Sequence, residues 1–105
     1  MLLPQPLNKY QHKVIQIAQD NDVSYVALYG SYSRGEQTKD SDLDLLVSFD
    51  KKKGLLDLIS IEQKLSELLN IKVDVVTKEG LNKHIKPYIQ DDLKIIYEKK
   101  SKPLH

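Results

Sequence analysis

The chain has 105 residues and a mass of 12.1 kDa, a length for one domain and not two. Apolar residues make up 40% and charged residues 30%, a globular composition that argues against long disorder. Sixteen Lys and Arg against fifteen Asp and Glu leave a formal charge of +1, so no general pull toward nucleic acid or anionic membrane exists, and the lack of cysteine excludes disulfides, thiolate metal sites and a cysteine nucleophile.

A domain of this size buries roughly 65% of its unfolded surface, enough for one core without staples. No apolar run approaches the ~18 residues that span a membrane. The opening Met1-Leu2-Leu3-Pro4-Gln5-Pro6 has neither the basic start nor the apolar stretch of a signal peptide. The expectation is a cytoplasmic protein with one domain over residues 1–105.

Residues 7–20 carry apolar side chains at Val14, Ile15 and Ala18, with Tyr10 one turn earlier, which is helical spacing. Asn21-Asp22 breaks that pattern. Residues 23–29 are β-branched and aromatic and predict a strand that Gly30 ends. Residues 31–41 are polar, with room for one helical turn and a loop. A second strand follows over 43–49, then a charged turn, Asp50-Lys51-Lys52-Lys53-Gly54, read as a solvated surface and not as a nucleic-acid patch. Leu55, Leu58, Ile59, Glu62, Leu65 and Leu69 follow the 3.6-residue period over 55–69, with only Glu62 polar on that line. Asn70 stands where a helix C-cap is favoured. A third strand is expected over 71–77, and a helix over 80–89 that Pro87 ends or bends. Residues 93–97 read as an edge strand or a last helical turn, and 99–105 as a frayed tail. The order αβ(α)βαβα(β), helices alternating with three or four short strands, implies a layered α/β or α+β domain. The first two strands are joined by about a dozen residues, so length alone leaves their pairing sense open.

The chemistry concentrates in two segments, Gly30-Ser31-Tyr32-Ser33-Arg34-Gly35 and Ser41-Asp42-Leu43-Asp44-Leu45-Leu46-Val47. Asp42 and Asp44 are two apart at a strand start, so both point to one face, ~6.6–6.8 Å apart along the backbone. Leu43, Leu45 and Val47 supply the opposite, core-facing stripe. Two carboxylates on one face repel unless a cation lies between them, and hard oxygens at this separation suit Mg²⁺. Asp74 sits among Ile71, Val73, Val75 and Val76, where a carboxylate is costly unless paired or metal-bound. If its strand lies beside the second one, Asp74 joins the same site, and three convergent carboxylates suit a two-cation cage. Gly30 permits close approach of backbone to a ligand. Ser31 opens a turn with free N–H groups and adds a hydroxyl. Arg34 adds a fork for phosphate. This is a plausible polyphosphate cradle without a Walker sequence. A calcium-loop reading of Asp40-x-Asp42-x-Asp44 fails, because Leu45 stands where glycine is needed and Lys51 where glutamate is needed.

The Gly30-Ser31 pair, ten residues, Asp42-x-Asp44 and a later strand aspartate resemble the DNA polymerase β-type nucleotidyltransferase superfamily. Within it, the pattern resembles the minimal nucleotidyltransferase (MNT) antitoxins, by motif across residues 26–76 and by length and element order across nearly the whole chain, with Ser33 where that group often has Ala. The resemblance implies the polymerase β-like nucleotidyltransferase fold, α+β with a small mixed sheet of three to four strands and helices packed on it. The resemblance implies that Asp42 and Asp44 hold two Mg²⁺ ions and that Asp74 completes the catalytic one and takes the acceptor's proton. It implies that Gly30 and Ser31, assisted by Arg34, bind the phosphates of ATP. It implies transfer of AMP to a tyrosine hydroxyl of a partner HEPN-family ribonuclease toxin. Two rival functions are an antitoxin that neutralises by binding only and a nucleotidyltransferase for a small molecule such as an aminoglycoside. Length counts against the last, since the motifs use most of the chain. No membrane partner and no direct nucleic-acid binding are expected. His12, His84 and His105 share no metal spacing, Tyr32 is a candidate for the nucleotide pocket, and Lys72, Lys78, Lys83 and Lys86 read as a solvated face.

Overall fold

A computed structural model describes residues 2–78, 80 and 89–99. Residues 81–88 of the expected helix over 80–89, with His84, Lys83, Lys86 and Pro87, and all but the first residue of the 99–105 tail lie outside the described residues. A 3-10 turn over Leu7–Tyr10 leads into helix α1, Gln11–Asp20. Strand β1, Val23–Tyr29, is followed by a one-turn helix α2, Ser31–Arg34, and strand β2, Leu43–Phe49. Helix α3, Leu55–Leu69, then precedes strands β3, Val73–Thr77, and β4, Lys94–Glu98. Residues 93–97 thus supply an edge strand, shifted by one residue, and not a helical turn.

The four strands form one mixed sheet in the order β3-β2-β1-β4. β1 and β2 are antiparallel, which closes the question that length left open, and β2 and β3 are parallel across α3. β4 runs antiparallel to β1. Strand alternation sorts the side chains. Val26, Leu28, Leu43, Leu45, Val47, Val73 and Val75 share one core with Val14 and Ala18 of α1 and Ile61, Leu65 and Leu69 of α3. Tyr25, Ala27 and Leu46 form a second cluster, to which Tyr29 and Leu93 add. The helices α1 and α3 therefore cover one face, and Asp44 lies on the other by its two-residue offset from Leu46. Among the described residues no helix is long and apolar enough to cross a membrane.

Two stripes differ from the sequence pattern. In α1 Ile17 packs on the core where Ile15 was expected. In α3 the core line is Leu58, Ile61, Leu65 and Leu69, while Leu55 and Leu56 remain 71% and 82% exposed and Ile59 39%. The first turn of α3 overhangs the core, so apolar spacing alone mislocates the stripe there. Leu65→Ala is expected to cost about 2–5 kcal/mol, as deletion of a buried leucine does. Leu56→Ser should stay within about 0.5 kcal/mol. Urea unfolding of both variants checks the assignment.

Helix ends follow local rules. Asn70 takes the left-handed conformation at φ 56° and closes α3, as expected. At the other end the Gly54 N–H donates to Asp57 Oδ2 at 2.9 Å. The lysine triplet is largely solvated, as expected, with Lys51 73% exposed, yet Lys53 and Lys51 bracket Asp22 at 2.9 and 3.7 Å, tying the β2–α3 turn to the start of β1. Both ion pairs hold Asp22 below the usual carboxylate range, the Lys53 hydrogen bond most of all.

Candidate active site

Strand register builds a row of three polar side chains. Asp44 pairs with Asp74 across the parallel β2–β3 ladder and with Tyr29 across the antiparallel β1–β2 ladder. Residues directly opposite share a face, with Cβ atoms ~4.5–5.5 Å apart in such pairs. Asp74, Asp44 and Tyr29 thus stand side by side at one level of the sheet. The condition set on Asp74, that its strand lie next to β2, is met. Asp42 precedes β2, two residues from Asp44, and its carboxylate faces Lys72 Nζ at 3.6 Å. Lys72 is therefore an ion-pair partner at the rim of the site, and Lys78 lies 3.5 Å from the centroid of the Tyr25 ring.

The electrostatics of the row follow from its geometry. Burial raises the Asp44 pKa, and the charges of Asp74 and Asp42 raise it further, with Arg34 opposing them. Burial also pushes the Tyr29 hydroxyl up to about 12, with Asp44 and Asp74 adding to the shift. This concentration of negative potential is the situation a cation relieves, and the donors are hard carboxylate oxygens. The residues fit a divalent ion in chemistry. Among the described residues, however, no three acidic or histidine groups stand in a closed metal-binding arrangement.

Gly30 joins the row to α2. Its backbone, at φ 77° and ψ −156°, lies in a region essentially reserved for glycine. A Cβ at Gly30 would run into Asp44 Oδ2. The missing side chain is therefore what lets the Asp44 carboxylate lie against the strand-to-helix turn. Ser31 begins α2, and the N–H groups of Ser33 and Arg34 donate back to the Gly30 carbonyl at 3.0 and 3.2 Å. Gly35, at φ 73°, ends the turn in the left-handed conformation. Tyr32 packs against the main core as a partly buried ring.

Arg34 is not free. Its Nε donates to Glu36 Oε1 at 2.8 Å and its Nη1 to Asp92 Oδ2 at 2.5 Å. His12 is exposed on α1 and away from the row. The sequence reading missed Tyr29, although alternation along β1 and its place before Gly30 put it on the aspartate face. It missed Glu62 as well, although that residue was the lone polar position on the α3 stripe. Glu62 Oε2 accepts from the Val75 N–H at 2.7 Å, and Ser66 Oγ accepts from the Val73 N–H at 3.1 Å. These two bonds satisfy outward-facing donors of β3, the edge strand that carries Asp74. Asp92 gave no local signal, being 58 residues from Arg34.

Comparison with known proteins bears on the family and the fold. Residues 12–105 match the nucleotidyltransferase domain family. The Methanocaldococcus jannaschii protein MJ0126, whose name places it provisionally among protein adenylyltransferases, is 46% identical over 72 residues, covering 68% of this chain and 74% of its own. A solved structure described provisionally as a minimal nucleotidyltransferase superposes with a TM-score of 0.76 at 32% identity, over 90% of this chain and 95% of that one. A crystal structure of a toxin–antitoxin with AMP-PNP gives a TM-score of 0.75 at 25% identity, over 86% of this chain and 74% of that one. With the family match running through the Gly30-Ser31 turn and all three aspartates, the chain belongs to the nucleotidyltransferase domain family, among its minimal members.

Proposed function

We propose that this protein transfers AMP from ATP to a tyrosine hydroxyl of a partner HEPN-family toxin and so acts as its antitoxin. The observation that carries the reading is the register row of Asp44 and Asp74 beside the glycine turn at Gly30-Ser31. The toxin–antitoxin structure with AMP-PNP supports both the nucleotide and the kind of partner. The HEPN class follows from the resemblance of the motifs.

In this reading Asp42, Asp44 and Asp74 hold two Mg²⁺ ions. The bound ions supply charge neutralisation at the transferring phosphate. Gly30 and Ser31 bind the β- and γ-phosphates, and Arg34 lies alongside. Asp74 accepts the proton of the acceptor hydroxyl. The tyrosine oxygen forms a bond to the α-phosphorus as the bond from that phosphorus to the β-bridging oxygen breaks, and pyrophosphate leaves. Such transfer depends on positioning and electrostatics more than on covalent chemistry of the protein. The described residues offer a sheet face and a one-turn helix, and a docked partner supplies the acceptor within ~3–3.5 Å of the phosphorus.

The isolated chain with Mg²⁺ and ATP should release pyrophosphate slowly, and addition of the partner should raise the rate. Intact-mass spectrometry should then find AMP-sized increments on the partner. The double variant Asp42→Asn, Asp44→Asn should abolish the increments and keep most of the docking. A partner neutralised without any gain of mass would replace this reading with an antitoxin that acts by binding alone.

A further inference from the structure

The segment leading into β4 grips α2 from the side opposite the aspartates' own strands. Asp92 does so twice. Its carboxylate receives the Arg34 Nη1 bond at 2.5 Å, and its backbone carbonyl receives the Ser33 hydroxyl. Lys94 adds a third tie, donating from Nζ to the Ser33 carbonyl at 2.7 Å. The Asp92 side chain is 14% exposed and that of Arg34 41%, so this is a surface ion pair whose carboxylate end is the sheltered one. The gripped element needs the support. α2 has four residues, too few to be stable as an isolated helix. It follows directly on Gly30, whose lack of a side chain leaves the space in which Asp44 lies.

We propose that Asp92 is a positioning residue for the nucleotide: it holds the Gly30–Arg34 turn and the Arg34 guanidinium in the arrangement that receives the phosphates. The inference rests on the nucleotide reading of that turn. Asp92 touches neither substrate nor metal in this scheme and acts through Ser33 and Arg34. Glu36 holds the Nε side of the same guanidinium at 2.8 Å. With two carboxylates on separate nitrogens, the fork keeps one orientation and loses little further freedom when an anion arrives. Asp92 is the anchor of the two, because Glu36 is 60% exposed.

The chain and its Asp92→Ala, Asp92→Asn and Lys94→Met variants are compared by calorimetric titration with Mg-ATP, by melting without ligand, and by hydrogen exchange of residues 31–36. Asp92→Ala should weaken Mg-ATP binding on the order of tenfold, the scale seen when a group orienting a ligand's direct contact is removed. Its unliganded melting point should change little. Amide exchange should accelerate in residues 31–36 and stay unchanged in β2. Asp92→Asn keeps an acceptor for Arg34 and should recover part of the affinity. Lys94→Met should weaken binding less than Asp92→Ala. A lower melting point with unchanged affinity would make Asp92 a purely structural residue and overturn the proposal. So would unchanged exchange at residues 31–36. If the parent chain itself binds no Mg-ATP, the nucleotide reading fails, and the positioning role for nucleotide fails with it; exchange then still reports whether Asp92 holds the turn.

Discussion

Asp44→Asn is expected to melt at a higher temperature than the parent chain when no ligand is present, and to lose both nucleotide transfer and the stabilisation that Mg-ATP confers. The first half follows from the row. Asp44 is partly buried with Asp74 as its ladder partner and Asp42 two residues away. Its folded pKa is raised above the usual value, so the folded state binds the proton more tightly than the unfolded state does. The ionised form is therefore a liability, absent at low pH and growing as pH rises from the unfolded pKa to the folded one. Above that range it is fully present, and an uncharged asparagine removes it. The second half follows from the same charge. A ligand at a hundredfold excess over its Kd stabilises by ~2.7 kcal/mol, which for a domain of about this size is a melting shift of roughly 10–20 °C. The parent should show such a shift with Mg-ATP and the variant should not. Transfer should fall by about 10²–10³-fold, the usual loss on removing one preorganised electrostatic group. Scanning calorimetry at neutral pH and a partner-labelling assay supply the two readouts. An unliganded variant less stable than the parent would mean that Asp44 has a structural partner the row does not contain.

What made the site legible in the sequence is strand alternation. Leu43, Leu45 and Val47 against Asp44 separate the helix-covered face of β2 from the aspartate face before any neighbour is known. An aspartate among the valines of β3 is similarly conspicuous, and the condition attached to it, adjacency to β2, is met by the parallel ladder. The row itself was not legible, because register depends on how three strands align, and β1 and β2 could have paired in either sense. Alternation puts Tyr29 on the aspartate face, but its place directly beside Asp44 came through that alignment. In the helices apolar spacing identified the elements but not always the buried face. Ile17 displaced Ile15, and the first turn of α3 left Leu55 and Leu56 exposed, because packing depends on where a helix begins relative to the sheet. The contacts of Arg34 lay furthest from the sequence. Spacing after Gly30-Ser31 suggests a phosphate fork, yet the guanidinium meets Glu36 two residues on and Asp92 fifty-eight residues on. No local pattern encodes the second partner.

Gly30→Ala should damage the site more than it damages the fold, and Gly35→Ala should do the reverse. Both glycines have positive φ, 77° and 73°. At Gly35 a Cβ would meet nothing within 4 Å, so an alanine there carries only the left-handed penalty of about 1–2 kcal/mol. That lowers the melting point by several degrees for a domain of about this size and leaves Asp44 undisturbed. At Gly30 the backbone strain is about 1–3 kcal/mol, and the new Cβ would also collide with Asp44 Oδ2. The collision has two resolutions. The carboxylate swings out of the row toward solvent, or the turn shifts and carries Ser31 with it. Either one separates the Asp44 carboxylate from the Ser31 turn, the two parts that the proposed reaction brings together, and reacting groups displaced by about 1 Å can cost 10²-fold in rate. Transfer by Gly30→Ala should therefore drop by at least that factor when assayed well below its melting point. Gly35→Ala should keep activity within a few-fold of the parent at the same temperature. The ratio of the two activities, measured on samples matched for folded fraction by circular dichroism, isolates the contact between Gly30 and Asp44 from backbone strain. Equal activities would show that Asp44 reaches its working position without the space that Gly30 leaves.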